Sequence, residues 1–286
     1  MYKLKELQKQ LHQELLTQIA PPEVEQIVMW LLEYYLRIQR TDILLNKRVT
    51  VSQKVQHQLR KAVDRLNRQE PIQYVLGEAY FYGRRFNVAP SVLIPRRETE
   101  ELVAWVKEKN PQERLRVLDV GTGSGCIAVT LSVDMNRPKV HALDVSEAAI
   151  QIATDNAALY QAPVTFWTGN LLREGLTVPT PFDVVVSNPP YVRRSEASAM
   201  SPSVLEHEPD IALFVKNERP LLFYERMAYL CRYEGWLATS GMIYWEINEV
   251  MSHKIVQLLQ NHGFQGIVVR DDMQGKPRFV TGKLAE

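Results

Sequence analysis

Asn188-Pro189-Pro190-Tyr191 directly follows an apolar run, Phe182 to Ser187, that reads as a core strand. Proline has no amide hydrogen and a fixed φ, and Pro190 also keeps Pro189 out of helical geometry. The pair predicts a rigid, extended exit from the strand whose carbonyls lack local partners and point outward as fixed acceptors. Such acceptors suit one kind of chemistry. An amide or exocyclic aryl nitrogen gives its lone pair to the neighbouring π system and is a poor nucleophile. Two acceptors gripping its two hydrogens would orient it and favour the pyramidal geometry reached on attack. The Asn188 side-chain oxygen and the Pro189 main-chain oxygen are the candidates. Pro190 completes the substrate-holding segment, and Tyr191 would supply a flat wall whose π face tolerates a nearby cation. A proline-stiffened loop would explain an isolated proline pair, but this string at the end of a fourth parallel strand is much rarer by chance.

A second motif names the reagent. Asp119-Val120-Gly121-Thr122-Gly123-Ser124-Gly125 follows a short apolar strand and opens a helix. Glycines allow the tight turn and the approach of a ligand to the main chain. The dinucleotide fingerprint would need its third glycine at position 126, which is Cys126, so the spacing leans away from NAD or FAD. S-adenosylmethionine carries no phosphate but has a cationic amino group and a ribose. Asp119 is placed to accept from the former. Asp144, ending the next strand, is placed to accept from the ribose hydroxyls. A βα turn without a ligand is the plain alternative, which the second acid disfavours. The two motifs together predict a methyltransferase using S-adenosylmethionine and leaving S-adenosylhomocysteine.

The remaining sequence must position these motifs. From Val117 onward, strand and helix patterns alternate, which predicts an α/β, doubly wound, mostly parallel sheet. Ile267-Val268-Val269 and Arg278-Phe279-Val280 read as a closing strand pair, with an antiparallel strand at that edge. Residues 1–72 differ: Leu4, Leu7, Leu11, Leu15 and Ile19 are helically spaced, Pro21-Pro22 starts a second helix, and Ser52 caps a third. They predict an N-terminal all-α bundle for substrate recognition. Residues 73–97 read as a connector with a β-hairpin around Gly83, and residues 98–286 as the catalytic domain.

The 286 residues carry a net charge of +1, with 45% hydrophobic and 23% charged residues, so no basic field points to nucleic acid. Cys126 and Cys231 have no metal-ligand or disulfide-framework spacing. The first residues lack a signal peptide's apolar segment, and no run is long enough to span a membrane. The expectation is a soluble, cytoplasmic monomer without metal. The histidines lack ligand spacing, and Trp236 and Trp245 read as packing. Glu98 and Thr99 suit a helix start, or alternatively a cofactor mouth.

With these motifs in view, the chain resembles the HemK/PrmC family of protein-glutamine methyltransferases that modify class 1 peptide-chain release factors. The resemblance runs over most of the chain. It includes Gln73 to Glu78, Phe81-Tyr82-Gly83, Leu93 to Val103, the glycine turn, Asn188 to Tyr191, Glu208-Pro209, Ala212-Leu213, and Asp272 with Gly275 to Arg278. It implies a class I methyltransferase domain, a helical domain that helps hold the release factor, and a target glutamine in a Gly-Gly-Gln loop. By position it implies that Gly121, Thr122, Gly123, Ser124, Gly125 and Asp144 hold the cofactor, with Asn170 and Leu171 near the adenine, and that Asn188 to Tyr191 hold the glutamine amide, Asn188 also contacting the cofactor. Three features depart from the family pattern: Arg97 replaces a proline, Leu171 stands where an aromatic is frequent, and a glycine pair is missing after Ala212-Leu213-Phe214. Since Asn-Pro-Pro-Tyr also serves adenine and guanine amino-methyltransferases, a nucleobase amino group is the competing target. A non-catalytic binding factor on the same fold is the third reading.

Overall fold

The computed structural model describes residues 2–15 and 21–285. The chain divides into two units, Met1–Glu78 with Ser201–His207, and Ala79–Met200 with Glu208–Glu286.

In the first unit the helical spacing becomes a buried stripe. Helix Leu4–Leu15 buries Leu4, Leu7, Leu11 and Leu15; Ile19, which extends the same spacing, lies outside the described residues. Helix Pro21–Leu36 contributes Val24, Ile27, Val28, Leu31 and Leu32 to the same core, and helix Gln53–Leu66 adds Leu59, Val63 and Leu66. The Ser52 hydroxyl accepts from the Val55 amide at 3.3 Å, capping that last helix. At its other end Arg65 grips Glu70 through two nitrogens, 2.7 and 2.5 Å, and also donates to the carbonyls of Tyr74 and Val75. This bidentate pairing fixes helix Ile72–Leu76, which Gly77 ends in the left-handed conformation at φ 75°. The segment Ser201–His207 belongs to the same unit, and the His207 ring lies 3.1 Å from the Arg68 carbonyl.

The second unit holds a seven-stranded sheet: β1 (Arg116–Val120), β2 (Lys139–Asp144), β3 (Val164–Thr168), β4 (Phe182–Ser187), β5 (Leu237–Glu246), β6 (Phe264–Asp271) and β7 (Pro277–Leu284), in the order β6-β7-β5-β4-β1-β2-β3. β5, β4, β1, β2 and β3 pair in parallel, and β7 runs antiparallel to both neighbours. The closing strand pair thus forms an antiparallel edge, with β7 as its inner member. Alternate side chains feed two cores. Val117, Val184, Val186 and Tyr244 meet helices Arg97–Lys109 and Cys126–Asp134; Leu118, Val120, Val185 and Trp245 meet helices Leu222–Tyr233 and Ser252–Asn261. Strands covered on both faces explain the unbroken apolar runs. The fold is the expected doubly wound α/β sheet, with the helical region preceding it.

The hairpin of Glu78–Phe81 and Arg84–Asn87 turns at Tyr82 and Gly83, both at positive φ, 50° and 73°, as a two-residue turn of this handedness requires. One buried side chain ties the hairpin to the glycine turn. Asn156, on helix Glu147–Leu159, accepts from the Asn87 amide at 2.7 Å and donates to the carbonyls of Asn87 and Ser124 at 3.0 and 2.9 Å. Gly125 completes the arrangement: at φ +79°, a Cβ there would stand 3.0 Å from the Ala153 Cβ on the same helix. Burying polar backbone groups without partners costs about 1–3 kcal/mol each. Asn156→Ala is therefore expected to lower stability by about 2–4 kcal/mol, read as a lower urea midpoint at unchanged slope; a loss under about 0.5 kcal/mol would mean that the link is replaceable by water.

Candidate active site

Four parallel strands end at one level. Val120 pairs with Ser187 and with Leu143, and Asp144 pairs with Thr168. The residues that follow, Gly121, Val145, Gly169 and Asn188, therefore leave the sheet side by side. The Ser187 hydroxyl donates to the Val120 carbonyl at 2.6 Å and locks the two motif-bearing strands together. Above these ends lies a cavity of about 230 Å³. Gly121 to Ser124, Asp144, Asn170, Leu171 and Asn188 to Pro190 all line it.

The turn's backbone shows which ligand it suits. Its amides point inward: Gly121 and Thr122 donate to the Leu143 carbonyl, Gly123 to Asp144, and Gly125 to the Thr122 carbonyl. A phosphate cradle needs such amides free, so a diphosphate would find little to hold it. Asp144 keeps acceptor capacity. Its Oδ2 takes the Gly123 amide and its Oδ1 the Ser146 amide, both at 2.9 Å, and a carboxylate has about four lone-pair sites. Two ribose hydroxyls fit what remains. Burial pushes the Asp144 carboxyl up, against the pull of these amides.

Asp119 is placed differently from the sequence expectation. It is fully buried and is not among the cavity-lining residues. Its Oδ2 accepts from the Thr122 hydroxyl at 2.6 Å and the Ala128 amide at 3.2 Å, holding the turn onto its helix. Its Oδ1 is buried without a described partner. Burial pushes its carboxyl up to about 7, with the charge of Asp144 adding to the rise. A cation held by the turn above would favour the charged form through the field rather than through a direct bond. An orphaned carboxylate oxygen below the turn, a half-satisfied one at its side and the engaged amides of Gly121, Thr122, Gly123 and Gly125 together fit S-adenosylmethionine.

At the neighbouring strand end the Asn188 amide is fixed by its nitrogen. Nδ2 donates to the Thr99 hydroxyl at 3.0 Å, and that hydroxyl donates to Glu246 Oε2 at 2.7 Å. Among the described residues nothing donates to Asn188 Oδ1 or to the Pro189 carbonyl. The structure thus leaves two acceptors on one rigid segment beside the cavity. Tyr191 departs from the expected aromatic wall. It does not line the cavity; its ring packs against the core and its hydroxyl donates to Glu246 Oε1 at 3.0 Å. A buried phenol needs a partner, and Glu246 outcompetes an outward pose. Burial and the Glu246 charge both push the Tyr191 hydroxyl up.

Three other residues bear on the site. Thr99, read from sequence as a helix start or alternatively a cofactor-mouth residue, sits in the first turn of Arg97–Lys109 and lines the cavity. Arg97 occupies the first helical position, where proline is favoured but not needed because that amide has no intrahelical acceptor in any case. Phe223 lines the cavity, so an aromatic is present although Leu171 is not one. Leu171 is held in place by Arg226, which donates to its carbonyl at 3.0 Å. Glu246 and Phe223 were missed by sequence reading. The signal for Glu246 was an acid inside the apolar run Ile243 to Ile247; Phe223 gave none beyond its helical pattern.

The comparisons with known proteins agree with this geometry. Residues 6–77 match the family model described as the PrmC N-terminal domain, and residues 98–207 match the Methyltransferase small domain. The chain is 41% identical over 267 residues, 93% of this chain and 95% of the relative, to the release factor glutamine methyltransferase of Bacteroides thetaiotaomicron. It is 36% identical to that of Flavobacterium psychrophilum, across 97% of this chain and 98% of the relative. A methyltransferase structure from Pyrococcus furiosus, 15% identical, aligns with a TM-score of 0.54 over 72% of this chain and 91% of that one, a likeness of fold. Identity at this level over nearly the whole length of both chains, on top of the glycine turn and the paired acceptors, places this chain in the release factor glutamine methyltransferase family.

Proposed function

We propose that this protein methylates the side-chain amide nitrogen of the glutamine in the Gly-Gly-Gln loop of class 1 peptide-chain release factors, using S-adenosylmethionine. The observation that carries the reading is the pair of unclaimed acceptors, Asn188 Oδ1 and the Pro189 carbonyl, on a segment that both prolines stiffen beside the cavity. They match the two hydrogens of a primary amide. When bound, the cofactor supplies an electrophilic methyl group and leaves as S-adenosylhomocysteine. The chain's own residues do the rest. Asp144 holds the ribose, Gly121 to Ser124 with Asn170 and Leu171 shape the walls, and Asn188 with Pro189 aims the nitrogen. The acceptors hold hydrogens that become more acidic as the nitrogen gains its fourth substituent, so no strong base is needed; water removes the proton.

Incubation with labelled cofactor and, separately, a release factor, duplex DNA and tRNA tests the target. Label is expected in the release factor, and at its Gly-Gly-Gln glutamine; label in nucleic acid alone would make a nucleobase the substrate. Asn188→Ala is expected to abolish transfer while cofactor affinity stays within about tenfold, or ~1.4 kcal/mol. Asp144→Ala should do the reverse, weakening cofactor binding first, as read by calorimetry; unchanged affinity would remove its ribose role.

Asp119 predicts a pH dependence. A carboxyl raised to about 7 in the folded protein contributes stability below its unfolded value, and that contribution is lost as pH rises through about 7. A cationic ligand favours the charged carboxylate, so cofactor affinity should rise with pH up to about 7 and flatten above it. In Asp119→Asn this part of the pH dependence should vanish. Titrations at pH 6 and 8 that show equal slopes for both proteins would remove Asp119 from the linkage.

A further inference from the structure

We propose that Glu246 is a positioning residue for the transfer, acting through Thr99 to fix which end of the Asn188 amide faces the substrate. The inference rests on the reading that Asn188 accepts a hydrogen from the substrate amide.

The two ends of an asparagine amide are close in size and opposite in polarity. Turned one way, Asn188 offers an acceptor to the incoming nitrogen. Turned the other way, it presents two hydrogens to a group that itself presents hydrogens. The proline pair holds the backbone but says nothing about this flip. A relay of three groups decides it. The Thr99 hydroxyl has one hydrogen, and it is committed to Glu246 Oε2 at 2.7 Å. Towards Asn188 the hydroxyl can then offer only a lone pair, so Asn188 must present Nδ2, which it does at 3.0 Å. An ionised carboxylate only accepts, so the relay cannot run backwards while Glu246 is charged. Its second oxygen is occupied in the same sense by the Tyr191 hydroxyl at 3.0 Å. Burial, with the Glu98 charge adding to it, pushes the Glu246 carboxyl up, while Thr99, Tyr191 and the Arg278 guanidinium each favour its charged form.

The fold delivers these groups from separate segments. Trp245 pairs with Ser187 across β5 and β4, so Glu246 and Asn188 each lie one residue beyond that pair. Thr99 comes from the first turn of its helix and is 2% exposed; Glu246 is 1% exposed and does not line the cavity. Glu246 therefore touches neither ligand directly, and its effect must pass through Thr99. A buried strand end flanked in the chain by the apolar Trp245 and Ile247 would be filled more cheaply by an apolar side chain. A carboxylate whose oxygens both receive hydroxyl hydrogens, one from Thr99 and one from Tyr191 of the motif itself, is explained by what it orients.

Thr99→Val, close in shape and lacking the hydroxyl, is the main test, with Thr99→Ser, Glu246→Gln and Asn188→Ala alongside. Each full-length variant is assayed for kcat, for KM with a release factor, for cofactor Kd by calorimetry and for Tm. Thr99→Val should lose at least about tenfold in kcat while KM and cofactor Kd stay within about threefold, since only the aim of the amide changes. Thr99→Ser should recover most of that rate. Glu246→Gln should also lower kcat, because a glutamine amide can donate to Thr99 and reverse the relay. A Thr99→Val enzyme with wild-type kcat beside an inactive Asn188→Ala enzyme would overturn the relay and leave the amide grip intact. Wild-type turnover by Asn188→Ala would remove the grip, and the relay with it. Loss of cofactor affinity and Tm in step with kcat, without recovery in Thr99→Ser, would reduce Thr99 to packing.

Discussion

The site depends on strand register. In a parallel sheet the hydrogen bonds between neighbours fix which residues leave the sheet together, and slipping one strand by a residue would turn its side chains to the opposite face. Here Val120 is opposite Ser187 and Leu143, and Ser187 is opposite Trp245. That row places the glycine turn, Asn188 and Glu246 at one level and in one neighbourhood. The Ser187 hydroxyl on the Val120 carbonyl adds a cross-tie at the last paired position. Ligand sites outside the carboxyl ends of such strands follow from this geometry.

Register alone leaves the loops beyond the strand ends undefined, and buried polar side chains supply that definition. Asn156 uses its acceptor and both donors to join the hairpin backbone to the turn. Asp119 holds Thr122 and Ala128 from below. Glu208, buried, accepts from the Ile94 amide and from Arg96, which keeps the Ser91 to Arg96 stretch against the cavity. Arg96 and Glu208 are 112 residues apart in sequence and 2.5 Å apart in space. Each of these groups would be costly if left unpaired, so each restricts the loop to the conformation that pairs it.

This division explains what could be read from the sequence. The doubly wound sheet was legible because apolar strand runs and glycine punctuation are local signals. Gly121 to Ser124, Asp144 and Asn188 to Pro190 were legible for the same reason: their conformations follow from residue type, and they line the cavity together. The roles of Tyr191 and Asp119 were less so. Residue type makes Tyr191 a good aromatic wall, but its hydroxyl finds Glu246, which is 55 residues away. Residue type makes Asp119 a good ligand for a cation, but Thr122 and Ala128 claim it first. Side-chain direction is decided by the nearest unsatisfied partner, which no local pattern reveals. The joining of Ser201–His207 to the helical unit is another long-range pairing of this kind.

The placement of Glu246 one hydroxyl away from Asn188 also has an electrostatic consequence. On the proposed reading, positive character builds on the amide nitrogen as its new bond forms. An acceptor on its hydrogens is then stronger in the transition state than before it, which is the condition for lowering the barrier. A carboxylate in direct contact would be a stronger acceptor still, but it would stand charged in the cavity mouth and attract water or a cation when substrate is absent. Passing through Thr99 keeps the charge buried while each hydrogen bond polarises the next, from Glu246 to Thr99 to the Asn188 amide. The Asn188 oxygen thus gains negative character without a formal charge reaching the cavity. The proline pair, lacking amide hydrogens, offers Asn188 Oδ1 and the Pro189 carbonyl no competing local donor, so both acceptors stay available to the substrate.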